Sequence, residues 1–207
     1  AALPAPDPAA LAARAAQLPT PPRADHARFF EAVARGDLRG ATAALPSREV
    51  IDVIDRVTGT TPLAWVAHVG LGADATRTRL TTALLDRGAS VNAQDLDGAT
   101  ALHAAVENGW VAGVRLLLAR GARTDIADRA GMQPMHNLCL IRPAPGGTFR
   151  SVEAPQIAQL LIAARADVNA LGGTLPGYRR TPADGCTNDN MMSRSAVRAV
   201  LGAAGAM

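Results

Sequence analysis

The sequence predicts an all-α repeat solenoid: helix–turn–helix units stacked side by side, carrying β-turn fingers, with about four repeats behind an N-terminal capping repeat. Three observations predict it. Pieces of one segment, "TALHAAVENGWVAGVRLLLARGA" from Thr100, recur from Thr61, Gln133 and Thr181. These starts fall 39, 33 and 48 residues apart, a spacing that marks stacked repeat arrays. Apolar residues make up 48% of the 207-residue chain but aromatic ones only 3%, so its core is built from Ala, Leu and Val. That composition suits close-packed helices better than a sheet of β-branched and aromatic side chains.

The elements follow in order. Residues 1–24 form an Ala/Pro-rich leader or linker, in which Asp7-Pro8 has the chemistry to cap one short helix through Leu18. Residues 25–207 hold the array, with repeats at about 26–55, 56–94, 95–127, 128–174 and 175–207. "FFEAVARGDLRGATAAL", residues 29–45, is the capping unit, with Gly36 between its two helices. In the full repeats Thr61 and Thr100 cap a short first helix, and Pro62 supplies a preset φ where no N–H is needed. Gly109 breaks the first helix of the best-formed copy. Val111 to Ala119 then make a second helix, apolar at Val111, Val114, Leu117 and Leu118. Gly88 and Gly121 close the second helices in left-handed caps, and "DLDG", ending at Gly98, turns the chain into the next unit. A single unit cannot bury its apolar face alone, so neighbours stack on it.

In phase, these motifs read Thr61-Pro62-Leu63, Thr100-Ala101-Leu102-His103-Ala104-Ala105, Leu84-Leu85-Asp86-Arg87-Gly88-Ala89 and Val91-Asn92-Ala93. The arrangement resembles the ankyrin repeat over residues 26–206, nearly the whole chain. That resemblance implies protein partners, and it gives His103 and His136 the role of tying neighbouring turns together by hydrogen bonds. Function then lies in the decorated surface rather than in the scaffold.

The copies depart from the pattern by insertion. Measured from opening residue to closing position, the copies starting at Thr61, Gln133 and Thr181 carry about 6, 11 and 3 extra residues. All of these are expected between the two helices of a unit, along one edge of the stack. The longest, "IRPAPGGTFRSVEAP", holds Arg142, Phe149 and Arg150, and the first holds Arg77 and Arg79. A separate lengthening of about four residues, in "ALGGTLPGYRRTP", displays Tyr178, Arg179 and Arg180 on a finger. With Trp110, at the turn into a second helix, these aromatic and Arg side chains are the expected partner contacts.

Other chemistry finds little support. Arg and Lys total 21 and every one is Arg; the net charge is +3, with basic residues scattered. No nucleic-acid interface is expected from that pattern. No apolar run is long enough to span a membrane. "GLGADA", residues 70–75, copies a dinucleotide fingerprint but lacks the strand–turn–helix setting. No catalytic constellation, cofactor or metal is expected, because His136, Cys139 and Cys186 lack paired C-x-x-C spacing. A Cys139–Cys186 disulfide and two buried thiols stay open as alternatives. The all-Arg, Ala-rich composition points to a GC-rich bacterial source, and the opening Ala-Ala fits either signal-peptide removal or a trimmed chain. The expectation is therefore a non-catalytic binding protein, monomeric when free. Its partner is another protein: a secreted toxin or effector enzyme neutralised in the periplasm, or the clients of a general adaptor in periplasm or cytoplasm.

Overall fold

The computed structural model describes residues 24–69, 74–140, 153–173, 180–184 and 192–205. Helix α1 spans Ala24–Ala34, α2 Leu38–Ala43, α3 Pro62–His68, α4 Asp74–Asp86, α5 Ala101–Glu107 and α6 Val111–Ala119. A 3-10 helix, η1, spans Pro134–Leu140, followed by α7 Glu153–Ala163 and α8 Met192–Ala203. The segment 1–23, with the helix expected before Leu18, lies outside the described residues.

Two layers result. First helices stack in the order α1, α3, α5 and η1, while second helices stack as α2, α4, α6, α7 and α8. One continuous core runs between the layers, from Phe29 and Val33 through Leu63, Leu84, Leu102 and Leu117 to Ile157, Leu161 and Leu201. Each unit thus covers its neighbour's apolar face, as a solenoid requires. At the N-terminal end Phe30 and Trp65 pack with ring centroids 5.9 Å apart, and the Trp65 indole donates to the Phe30 carbonyl at 3.3 Å.

Local chemistry sets the helix ends. The Thr61 hydroxyl accepts the Ala64 N–H at 3.3 Å, with Pro62 in the first turn. The second-helix ends turn through a left-handed residue, at Gly88 (φ 98°) and Gly121 (φ 84°). In the third full repeat Arg165 takes that role at φ 62°, where a Cβ is crowded. Arg165→Gly is therefore expected to raise stability by about 0.5–1 kcal/mol, read as a higher urea midpoint. An unchanged or lower midpoint would show that the Arg165 side chain offsets its backbone strain.

The insertions do not all form loops. In the copy from Thr61, α4 has 13 residues against 9 in α6, so most of the extra chain becomes an added first turn of the second helix. Asp74 supplies acid to that turn, where the positive end of the helix dipole favours it. The added turn carries Arg77. The unit from Gln133 differs in another way, because its first helix is 3-10 rather than α. The long insertion that follows, residues 141–152, lies outside the described residues.

Candidate functional site

The fingers are built alike and tied together. In each, an Asp closes the turn. Asp55 N–H bonds the Thr60 carbonyl at 2.9 Å, Asp95 N–H that of Ala99 at 2.8 Å, and Asp128 N–H that of Met132 at 2.9 Å. The same Asp side chains accept N–H groups within their own turns: Thr58 to Asp55, Asp97 and Ala99 to Asp95, and Met132 to Asp128. Leu96 N–H reaches the Gly59 carbonyl and Arg129 N–H that of Asp97, both at 2.9 Å, so the first three fingers form a linked row. The Gln94 amide adds bonds to the Gly98 and Ala127 carbonyls.

The two histidines tie this row to the helices. Thr100 N–H donates to His103 Nδ1 at 3.0 Å, which leaves the ring proton on Nε2 to donate to the Met132 carbonyl at 3.0 Å. His136 repeats the scheme: it accepts from Gln133 N–H at 3.1 Å and donates toward the carbonyls of Ala170 and Arg180 at 3.0 and 3.2 Å. A third recurrence lies at the other end of the turns. Asn92 bonds Gly121 and Arg123 in the next unit, Asn169 bonds Gly205, and Asp52 accepts the Ser90 N–H.

Two of these groups titrate away from their ordinary ranges, in opposite senses. Burial pushes the Asp95 carboxyl up to about 6, against the lowering effect of its bonds from Ala99 and Asp97. Burial also pushes the His103 imidazole down, the bond to Met132 opposing. As pH falls through 6.5, the unfolded chain takes up a proton that folded His103 resists, so stability decreases from there downward. Between about 6 and 3.8 the folded chain binds a proton at Asp95 before the unfolded chain does, so stability increases as pH falls. Asp95→Asn removes this compensation. Its urea midpoint is expected to fall more steeply than that of the wild type between about pH 6 and 4, by at most ~1.4 kcal/mol per pH unit. Parallel pH profiles would contradict the assignment.

The expected contact residues divide. Arg79 is exposed on α4, and Arg180 is exposed at the base of the last finger. Trp110 and Arg77 require correction, because both are buried, at 0% and 2% exposure. The added turn of α4 carries Arg77 inward, its guanidinium 4.3 Å from the centre of the Trp110 ring, and it donates to the Ala67 carbonyl. The pair belongs to the core and is closed to a partner. Arg142, Phe149, Arg150, Tyr178, Arg179 and Cys186 lie outside the described residues; Cys139 falls in η1.

Two side chains not anticipated from the sequence are prominent. Val57 is 93% exposed and Leu171 52%, the exposed large hydrophobics among the described residues. Both stand on the finger row, at its first and last members. The sequence signal for Val57 was an apolar residue inside a turn, between Asp55 and Gly59, where nothing can bury it.

Stacked helix pairs with a rigid row of fingers define a helical-repeat scaffold that displays its turns. A family model described as "Ankyrin repeats (3 copies)" matches residues 29–128 and 71–171. The chain belongs to the ankyrin repeat family. It is 37% identical over 121 residues to the human "Ankyrin repeat domain-containing protein 63", covering 55% of this chain and 30% of that protein. The mouse protein of the same name is 36% identical over 121 residues, covering 55% and 29%. The matched region thus spans under a third of the length of these curated relatives. Ankyrin repeats imply a protein–protein interaction module and are typically non-catalytic. Among the described residues, no helix is long and apolar enough to cross a membrane.

Proposed function

We propose that this ankyrin array is a non-catalytic module that holds a dedicated protein partner against its finger row. The observation that carries this reading is the placing of Val57 and Leu171, the exposed large hydrophobics among the described residues, on a row braced by inter-finger hydrogen bonds. Apolar side chains held out on rigid turns gain most from being covered, and the bracing lowers the entropy lost on binding. In its finer form the partner is a toxin or effector enzyme. The array then acts as a monomeric immunity-type inhibitor in the bacterial periplasm. Its support is the unequal lengthening of the units, which suits one partner better than many.

The test is a tagged pull-down from the native organism with the wild-type chain and with Val57→Asp, the eluted proteins being identified by mass spectrometry. One enzyme recovered one-to-one by the wild type and lost from the variant is the expected result. Several unrelated proteins recovered equally by both would replace the dedicated partner with general adaptor behaviour. It would also remove the finger row as the site.

A further inference from the structure

The last finger differs from those before it. The second and third fingers close over five residues, Asp95 to Ala99 and Asp128 to Met132. In the last, the closing pair is Gly172 and Arg180, which exchange both backbone hydrogen bonds at 2.9 and 2.8 Å. His103 donates to one carbonyl of the next unit, whereas His136 lies within bonding distance of two, on Ala170 and Arg180. These stand on either side of the finger base, so one buried imidazole holds both of its strands. Fit is tight: a Cβ on Gly172 would lie 2.7 Å from His136 Nε2 and 2.7 Å from Met132 Sδ.

The clamp fixes two exposed side chains beside each other. Leu171 precedes Gly172, and Arg180 faces Gly172 across the bridge. Asp184, near Arg180, is occupied locally: it accepts the Thr181 N–H and hydroxyl at 2.8 and 2.9 Å. Those bonds, with the positive charges of Arg180 and Arg198, hold its carboxyl below the usual range. Arg180 and the exposed Arg198 thus outnumber the one acid they share, beside an uncovered leucine.

Building on the protein-binding reading above, we propose that Leu171 and Arg180 form a contact point for an acidic segment of the partner bearing a bulky apolar residue, and that His136 is the positioning residue that sets them. The apolar residue covers Leu171, and the carboxylates meet Arg180 and Arg198. His136 touches neither; it holds the base of the finger in one geometry.

The probe is a displayed library of random peptides, selected on the folded full chain. Peptides enriched in Asp or Glu next to a large apolar residue are the expected result. A synthetic copy of the best should lose about tenfold or more in affinity with Leu171→Asp and with Arg180→Glu. His136→Gln keeps a donor near the Nε2 position and should retain binding. His136→Leu should weaken it and speed amide exchange at Gly172 and Arg180, while amides of α3 to α6 stay protected. Peptides that bind both surface variants as well as the wild type would overturn the contact point, and so would a selection that enriches nothing acidic. Equal binding by His136→Leu and His136→Gln would overturn the positioning role. Each failure is separable from failure of the broader reading, because the pull-down depends on Val57 at the far end of the row.

Discussion

Trp110→Ala is expected to lower stability by about 3–5 kcal/mol, the largest loss for any single side chain in the array. The indole is fully buried at the start of α6 and packs between the second helices of two successive units. Its Nε1 has no hydrogen-bond partner among the described residues, so the loss is one of packing and of the Arg77 contact. Truncation would leave a cavity and strip a buried guanidinium of the ring that faces it, a contact worth about 1–2 kcal/mol when desolvated. Urea unfolding followed by circular dichroism measures the loss. Trp65, the one remaining tryptophan, then reports on the N-terminal end. A loss under about 1 kcal/mol would mean that the indole is a surface group after all.

Gly113→Ala is expected to destabilise as well, against the ordinary trend. Exchanging Gly for Ala inside a helix normally adds about 0.5–1 kcal/mol of stability. Here a Cβ on Gly113 would sit 1.9 Å from Cε3 of Trp110 and 2.2 Å from its Cδ2, both atoms of a buried, immobile ring. Overpacking of this kind costs about 1–3 kcal/mol, and the clash is with ring atoms that have nowhere to move. The sign should depend on the ring. In the Trp110→Ala background the same change meets open space and should become neutral or favourable, giving a coupling of about 1–3 kcal/mol in a double-mutant cycle. Additive effects would contradict the contact.

The same pair shows where the sequence is legible and where it is not. The repeat was readable because each signal is local and recurs. Thr61 caps, Gly88 and Gly121 turn left-handed, and Val111–Ala119 is helical between its own boundaries. Trp110 was not readable in that way. Its neighbour Arg77 lies far back along the chain, in an insertion whose length alone suggested a loop. That insertion became a helical turn instead, which swung Arg77 under the ring and turned an expected contact pair into core. Gly113 shows no signal in a single sequence, since its reason is the ring lying against it. The finger row was visible as Asp and Gly at turn spacing, but its contact chemistry was only half legible. Arg180 stood out by type, whereas Val57 and Leu171 stand out by exposure, which depends on the completed stack. His136 was assigned one tie between turns from its phase. The second, to Ala170, comes from the lengthened finger next to it.

The most direct measurement is hydrogen–deuterium exchange of the array with and without the captured partner. Binding along the row should slow exchange at the fingers, in residues 55–60, 95–99, 128–132 and 170–173, and leave the outer surfaces of α4, α6 and α7 unchanged. Protection confined to those second-helix surfaces, with the fingers exchanging as in the free chain, would contradict a finger-row site.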